Sequence, residues 1–131
     1  MKVAIIGSRH FDNYELLEKA VQESGFAITE ECCGEAEGAD TLGRIWAEVN
    51  LIPVTSFPAD WDDTNAPGAV VKINSRGKCY NSRAGFNRNT EMINYADGVI
   101  ALWDGKSPGT RHALREGKRL KKLIFVKQFM P

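Results

Sequence analysis

Short apolar runs alternate along this chain with stretches of helical spacing. Lys2-Val3-Ala4-Ile5-Ile6, ended by Gly7, predicts a first buried strand. Leu17, Ala20, Val21 and Ser24 share one face of a predicted helix from about Tyr14 to Ser24, which Asp12 or Asn13 can cap and Gly25 can stop. Phe26 to Cys33 reads as a second strand. Leu42, Ile45, Trp46 and Val49 recur at i, i+3, i+4 and i+7 in a helix from about Ala39 to Asn50. Leu51 to Phe57 predicts a third strand, with Pro53 keeping its start out of a central ladder. Helical spacing returns from Ala84 to Ala96 through Asn89, Met92 and Ile93. Gly98 to Trp103 then reads as a fourth strand, Gly109 to Arg119 as a helix and Leu123 to Lys127 as a fifth strand.

Strands that are apolar on both faces and alternate with helices imply a parallel sheet covered on each side. With right-handed crossovers, the expectation is an α/β fold: a single-domain Rossmann-like three-layer sandwich, its mainly parallel sheet having about five strands. Residues 58–84 break the rhythm with Pro58, Pro67, Gly68, Gly77 and several Asn and Asp. A long irregular stretch in a compact domain is usually functional or mobile, and residues 62–84 are the candidate lid over the site.

The length of 131 residues, with 43% hydrophobic and 26% charged positions, fits one globular domain over residues 1–131. No window approaches ~20 consecutive apolar residues, so a membrane partner is not expected. The N-terminus lacks a basic leader followed by an apolar core, which makes the cytoplasm the expected location. The net charge of zero conceals an asymmetry: residues 1–71 carry 4 basic and 13 acidic side chains, and residues 72–131 carry 13 basic and 4 acidic ones. Such a division can concentrate positive potential on one part of the domain, or can merely solvate opposite faces. Cys32, Cys33 and Cys79 cannot all pair within one chain, and only His10 and His112 accompany them, so neither a disulfide framework nor a metal site is expected. A reactive thiol at Cys33 remains open, close to a candidate loop.

In doubly wound sheets, ligands bind beyond the carboxyl ends of the strands. Gly7-Ser8-Arg9 follows the first strand, Gly34-Glu35-Ala36-Glu37-Gly38-Ala39-Asp40 the second, and Asp104-Gly105-Lys106-Ser107-Pro108-Gly109-Thr110 the fourth. Glycine permits close backbone approach, serine and arginine offer donors, and a small-residue turn opening a helix exposes free N–H groups to an anion. Each turn alone is as well explained by punctuation, and neither G-x-G-x-x-G nor G-x-x-x-x-G-K-[ST] occurs. Their agreement in position points to an anionic ligand.

Gly7-Ser8-Arg9-His10-Phe11, the second-loop run Gly34 to Asp40, Pro58-Ala59-Asp60-Trp61, Ala84 to Met92 and Ala101 to Thr110 span residues 7–110 in order. With these motifs the chain resembles the SLOG superfamily, which groups the Smf/DprA DNA-processing proteins with the Lonely Guy phosphoribohydrolases. It is most similar to the YspA-like branch. The resemblance implies a Rossmann-like domain that binds or senses a nucleotide or a nucleotide-derived ligand such as an NAD or ADP-ribose derivative, and which needs no separate cofactor. It implies that Gly7, Ser8, Arg9, Gly34, Gly38, Asp40, Arg88, Asn89, Gly109 and Thr110 line the site. Glu35 and Glu37 stand where similar proteins often carry glycines and a basic residue.

The same resemblance raises N-glycosidic hydrolysis of a nucleoside monophosphate. Arg88 matches the arginine of the Lonely Guy pair, but Ala113 stands where the catalytic glutamate is expected. Asp40, Glu116 and Asp104 are the candidate replacements, since an oxocarbenium-like transition state needs a nearby carboxylate. Among other residues, Trp46 belongs to an apolar helix stripe, and His112 is a candidate base or simply a helix surface residue. Trp61 and Tyr80 can stack on a base or pack their own loop. The basic run Arg115 to Lys122, with Trp61, Tyr80 and Phe86, keeps single-stranded nucleic acid as a third reading. A small nucleotide-like molecule is the expected partner, with self-association left open.

Overall fold

The computed structural model describes residues 1–130. Five strands, β1 (Lys2–Gly7), β2 (Glu30–Cys33), β3 (Val54–Ser56), β6 (Gly98–Trp103) and β7 (Leu123–Gln128), form one parallel sheet in the order β3-β2-β1-β6-β7. Four helices cover it: α1 (Tyr14–Ser24), α2 (Ala39–Val49), α3 (Ala84–Tyr95) and α4 (Pro108–Arg119). The expected doubly wound sandwich is thus the fold observed.

Alternation along β1 divides the core in two. Val3 and Ile5 face α1 and α2 with Leu17, Ala20, Trp46 and, from β6, Ile100 and Leu102. Ala4 and Ile6 face the opposite layer with Met92 and Ile93 of α3, Ala113 and Leu114 of α4, and Val99 and Ala101. Side chains of period two therefore fill both layers from the same strands, which is why these runs read as continuously apolar. Trp46 is core, as its stripe indicated.

Local signals explain the helix limits. The Asn13 side chain accepts from Leu16 N at 3.0 Å, so Asn13 rather than Asp12 caps α1, and Gly25 ends the helix at φ 69°. Pro108 opens α4 one residue earlier than expected. The second and third strands are shorter than expected. The 26–29 segment runs alongside Met1 through Thr29 N to Met1 O rather than pairing as strand, and the third strand starts only at Val54, after Pro53.

The main departure lies in residues 58–84, which contain an antiparallel hairpin of β4 (Val71–Ile73) and β5 (Cys79–Asn81). Its turn is fixed by the Asn74 side chain, which accepts from Arg76 N at 2.9 Å and Lys78 N at 3.0 Å, and by Gly77 at φ 78°. Every residue from Val71 to Cys79 is exposed. The hairpin is anchored at its base, where the buried Asn81 side chain accepts from Arg83 N at 3.0 Å.

One core position is anomalous. Glu31 on β2 is fully buried on the α2 face, with neither carboxylate oxygen hydrogen-bonded, beside Ile5 and Gly43. Burial, with Asp40 adding to it and Arg44 opposing, pushes its pKa up to about 8, so the side chain is a neutral acid at pH 7. The folded pKa lies above the ordinary value of 4.5, so this side chain's contribution to stability is complete below about pH 4.5 and is lost as pH rises through about 8. Urea denaturation between about pH 6.5 and pH 8 should show stability falling by up to ~1.4 kcal/mol per pH unit. In Glu31→Gln the slope should largely vanish; an unchanged slope would place the titrating group elsewhere.

Candidate functional site

The strand order reverses direction between β1 and β6, and the loops after these two strands part there. A cavity of about 440 Å³ opens at that point, within the range of ordinary ligand pockets. Gly7 and Arg9 line it from β1, Asp40 from the first turn of α2, Arg88 and Asn89 from α3, and Gly109 and Thr110 from the start of α4. A second hollow of about 330 Å³ shares Arg9, Ala36 and Arg88 with the first and is lined also by Gly34, Glu35, Glu37, Pro58, Ala59 and Trp61. Because Arg9, Ala36 and Arg88 border both, the two hollows adjoin as one cleft with two lobes.

Ser8 and Gly38 line neither lobe; they hold the walls. Ser8 is buried and ties three loops together. Its N–H donates to Leu102 O at 3.0 Å, its carbonyl accepts from Phe11 N and Ala39 N, and its hydroxyl accepts from Asp104 N at 3.2 Å and lies 2.9 Å from Ser107 Oγ. Glycine at 7 and 38 serves packing, where ligand approach was expected. A Cβ on Gly7 would lie 2.1 Å from Leu102 O, and one on Gly38 would lie 2.4 Å from both Ser8 O and Arg9 O. Gly109 differs, because its Cβ position is open space.

Arg88 is held from two sides. Its Nη1 donates to Gly34 O, and its Nε donates to Asn89 Oδ1 at 3.0 Å. Asn89 in turn donates through Nδ2 to Gly109 O at 3.1 Å, so α3 locks the opening turn of α4 beside the arginine. No side chain caps α4 at Ser107, and its first turn carries no acidic residue. The free N–H groups and positive end of that helix therefore face the cleft beside two arginines.

Asp40, only 5% exposed, accepts from Ala36 N at 3.2 Å. Burial pushes its pKa up to about 6, against the pull of the Ala36 N–H and of Arg88 and Arg9. It is the one candidate carboxylate that lines the larger lobe.

Glu116 does not reach either lobe. Its oxygens engage Arg119 Nε at 2.6 Å, Thr90 Oγ1 at 3.1 Å and His112 Nε2 at 3.6 Å, which corrects its place as a substitute for the carboxylate missing at Ala113. Asp104 is occupied as well: the N–H groups of Ser107 and Lys106, each at 2.8 Å, hold its pKa down to about 2. His112 stacks on Phe86 at 4.3 Å and its pKa is lowered by burial, with Glu116 opposing. Burial pushes the Cys33 thiol up to about 11, which disfavours the thiolate that nucleophilic attack requires. All three cysteines are free, and among the described residues no cluster of His, Cys, Asp and Glu is placed to hold a metal. Among the described residues no helix is long and apolar enough to cross a membrane.

The motifs did not single out the Asp104–Ser107–Ser8 network, nor Ala36, His10, Ser107 and Pro108 in the lining. The signal for the network was present in Asp104-Gly105-Lys106-Ser107, whose Asp at the first position closes a turn on the N–H groups that follow it.

Gly38 sits at φ 74°, ψ −121°, conditions that only glycine meets without strain. Gly38→Ala should therefore lower unfolding free energy by ~2 kcal/mol or more in urea titration, whereas Gly109→Ala should change it by less than ~1 kcal/mol.

Residues 1–63 match the model of the YspA, cpYpsA-related SLOG family. No curated protein matches the chain. Among solved structures it is similar to the X-ray structure of DNA processing protein A (DprA) from Streptococcus pneumoniae, with a TM-score of 0.69 and 21% identity. That match covers 95% of this chain and 49% of the other, so the chain spans about half the length of that protein and shares its fold over that half. Residues 1–63 thus carry the signature of the YspA, cpYpsA-related SLOG family, as the ordered motifs led one to expect, and the fold over nearly the whole chain is that of the DprA structure.

Proposed function

We propose that this chain binds or senses a nucleotide or nucleotide-derived ligand of the NAD or ADP-ribose kind in the two-lobed cleft. One observation carries the reading: Arg9 and Arg88 share a cavity with the uncapped start of α4, at the point where the strand order reverses. Arginine gives bidentate donors to a phosphate, and a helix start adds N–H groups and a favourable dipole end. The SLOG-family match over residues 1–63 supports a nucleotide-related role. For residues 62–84 we assign the lid role to the base of the segment, where Asp63, Ala66 and Asn81 border a hollow of about 180 Å³ beside Arg88. Free cysteines suit a reducing compartment such as the cytoplasm.

A second reading rests on Asp40. A buried acid with its pKa near 6 at the wall of the cleft has the properties of a general acid or base, and it can stand in for the carboxylate absent at Ala113 in N-glycosidic hydrolysis. On the binding reading, no free base is released from a nucleoside monophosphate over hours with enzyme in excess. Release that disappears in Asp40→Asn would replace the binding reading with the hydrolytic one.

Arg9 is exposed and gives the cleanest test of binding. In a thermal-shift and calorimetry panel of AMP, ADP-ribose and NAD, Arg9→Ala should weaken the tightest ligand about 10- to 100-fold at unchanged ligand-free Tm. Arg88→Ala should abolish ligand-dependent stabilisation. Affinity should fall modestly with salt; a steep loss, and tighter binding of oligonucleotides than of any mononucleotide, would favour single-stranded nucleic acid.

A further inference from the structure

We infer that the smaller lobe is a subsite for a nucleobase, with Trp61 as its stacking platform, and that the ligand crosses the Arg9–Arg88 junction with its phosphate toward α4. This rests on the nucleotide reading of the cleft and specifies it.

The two lobes differ in chemistry. The larger lobe has no Trp, Tyr or Phe in its wall; the start of α4, Asn89, His10 and the two arginines border it, with Asp40 as its single carboxylate. The smaller lobe is lined by Trp61 and Pro58 together with Glu35 and Glu37. Two carboxylates repel a phosphate but accept from ribose hydroxyls, while an indole presents a flat apolar face to a base. Anion and aromatic group are thereby sorted to opposite ends.

Trp61 is positioned for this, though it sits in an irregular stretch. Its carbonyl accepts from Asn81 N at 2.7 Å, which fixes the backbone against the base of the hairpin, and its ring meets Tyr80 edge-on at 6.4 Å. The indole lies against the first turn of α3 at Gly85: a Cβ there would stand 3.1 Å from Trp61 Cη2 and 3.8 Å from Arg88 Nη2. Residues 85 and 88 share a helix face, so the absent side chain at 85 leaves the space that joins the indole to the guanidinium. Trp61 nevertheless remains 40% exposed, which loop packing alone does not use.

Glu35 gives an independent sign. It adopts φ 61°, a left-handed conformation that strains any residue with a Cβ and that glycine would adopt freely. Arg44 holds one of its oxygens at 3.0 Å and also donates to Ser56 Oγ at 2.7 Å. A carboxylate kept at a strained position and oriented from outside is arranged for the lobe it borders.

The test compares base-free ribose 5-phosphate with AMP and ADP-ribose by calorimetry on the whole chain. A base-bearing nucleotide should bind about tenfold or more tighter than ribose 5-phosphate. Trp61→Ala should erase that advantage while leaving ribose 5-phosphate unchanged, and Trp61→Phe should restore most of it. Gly85→Val, which fills the space without removing any donor, should act like Trp61→Ala and guards against a variant that fails to fold. Arginine-dependent binding of ribose 5-phosphate with no gain from a base, or equal losses for both probes in Trp61→Ala, overturns the subsite and leaves the nucleotide reading standing. Failure of all three probes to bind in an Arg9-dependent way overturns both.

Discussion

The carbonyl of Leu102 sets the geometry on which this molecule depends. It accepts the Ser8 N–H at 3.0 Å and approaches so closely that no side chain fits on Gly7. The two central strands are thereby held together at the level where their loops part. Ser8 extends that bond into a hub: its carbonyl takes the start of α2, and its hydroxyl takes the loop before α4. The cleft is the space left between loops that share one buried serine. A buried polar residue with every group satisfied fixes such geometry more sharply than apolar packing does.

Charge follows the same division. The acidic half of the chain supplies Asp40, Glu35 and Glu37, and the basic half supplies Arg88 and the opening of α4, with Arg9 as the one early cation in the lining. Asp40 and Arg88 come from different halves and meet at Gly34, where a Cβ would stand 2.7 Å from one and 3.2 Å from the other. The zero net charge is therefore two opposed surfaces that converge on one cleft. Within its acidic wall, burial raises the pKa of Asp40 to about 6, so its repulsion of an incoming anion eases as pH falls toward that value.

Most of the fold was legible because parallel strands buried on both faces leave an unmistakable apolar run. β6 and α1 lie where periodicity put them, to the residue. The hairpin of β4 and β5 was not legible, since strands of three residues, exposed except for Tyr80 and Asn81 at the base, carry no burial pattern to read. Its signal was turn chemistry, Asn74 and Gly77, within a stretch already rich in turn residues. At the candidate site, loop position after a strand identified the right neighbourhood: Arg9, Asp40, Arg88, Asn89, Gly109 and Thr110 converge. The role of each glycine was harder to infer. One that makes room for a ligand and one that makes room for a neighbouring carbonyl are the same letter, and only Gly109 proved open. Glu116 misled because a helical turn from Ala113 points it at Thr90 and Arg119, away from the cleft.

The central pairing of β1 with β6 sets Val3 beside Gly98, two residues that leave the ribosome far apart in time. Until β6 arrives, β1 presents an open, apolar edge, flanked on its other side only by β2 and β3. Such long-range parallel pairing is slow and leaves an adhesive strand exposed during vectorial synthesis. Residues 1–63, the part with the recognisable family signature, therefore make a half-sheet with nothing to close it. The cleft is complete only when α3 and α4 are docked, and any molecule that fills it stabilises the chain in that state.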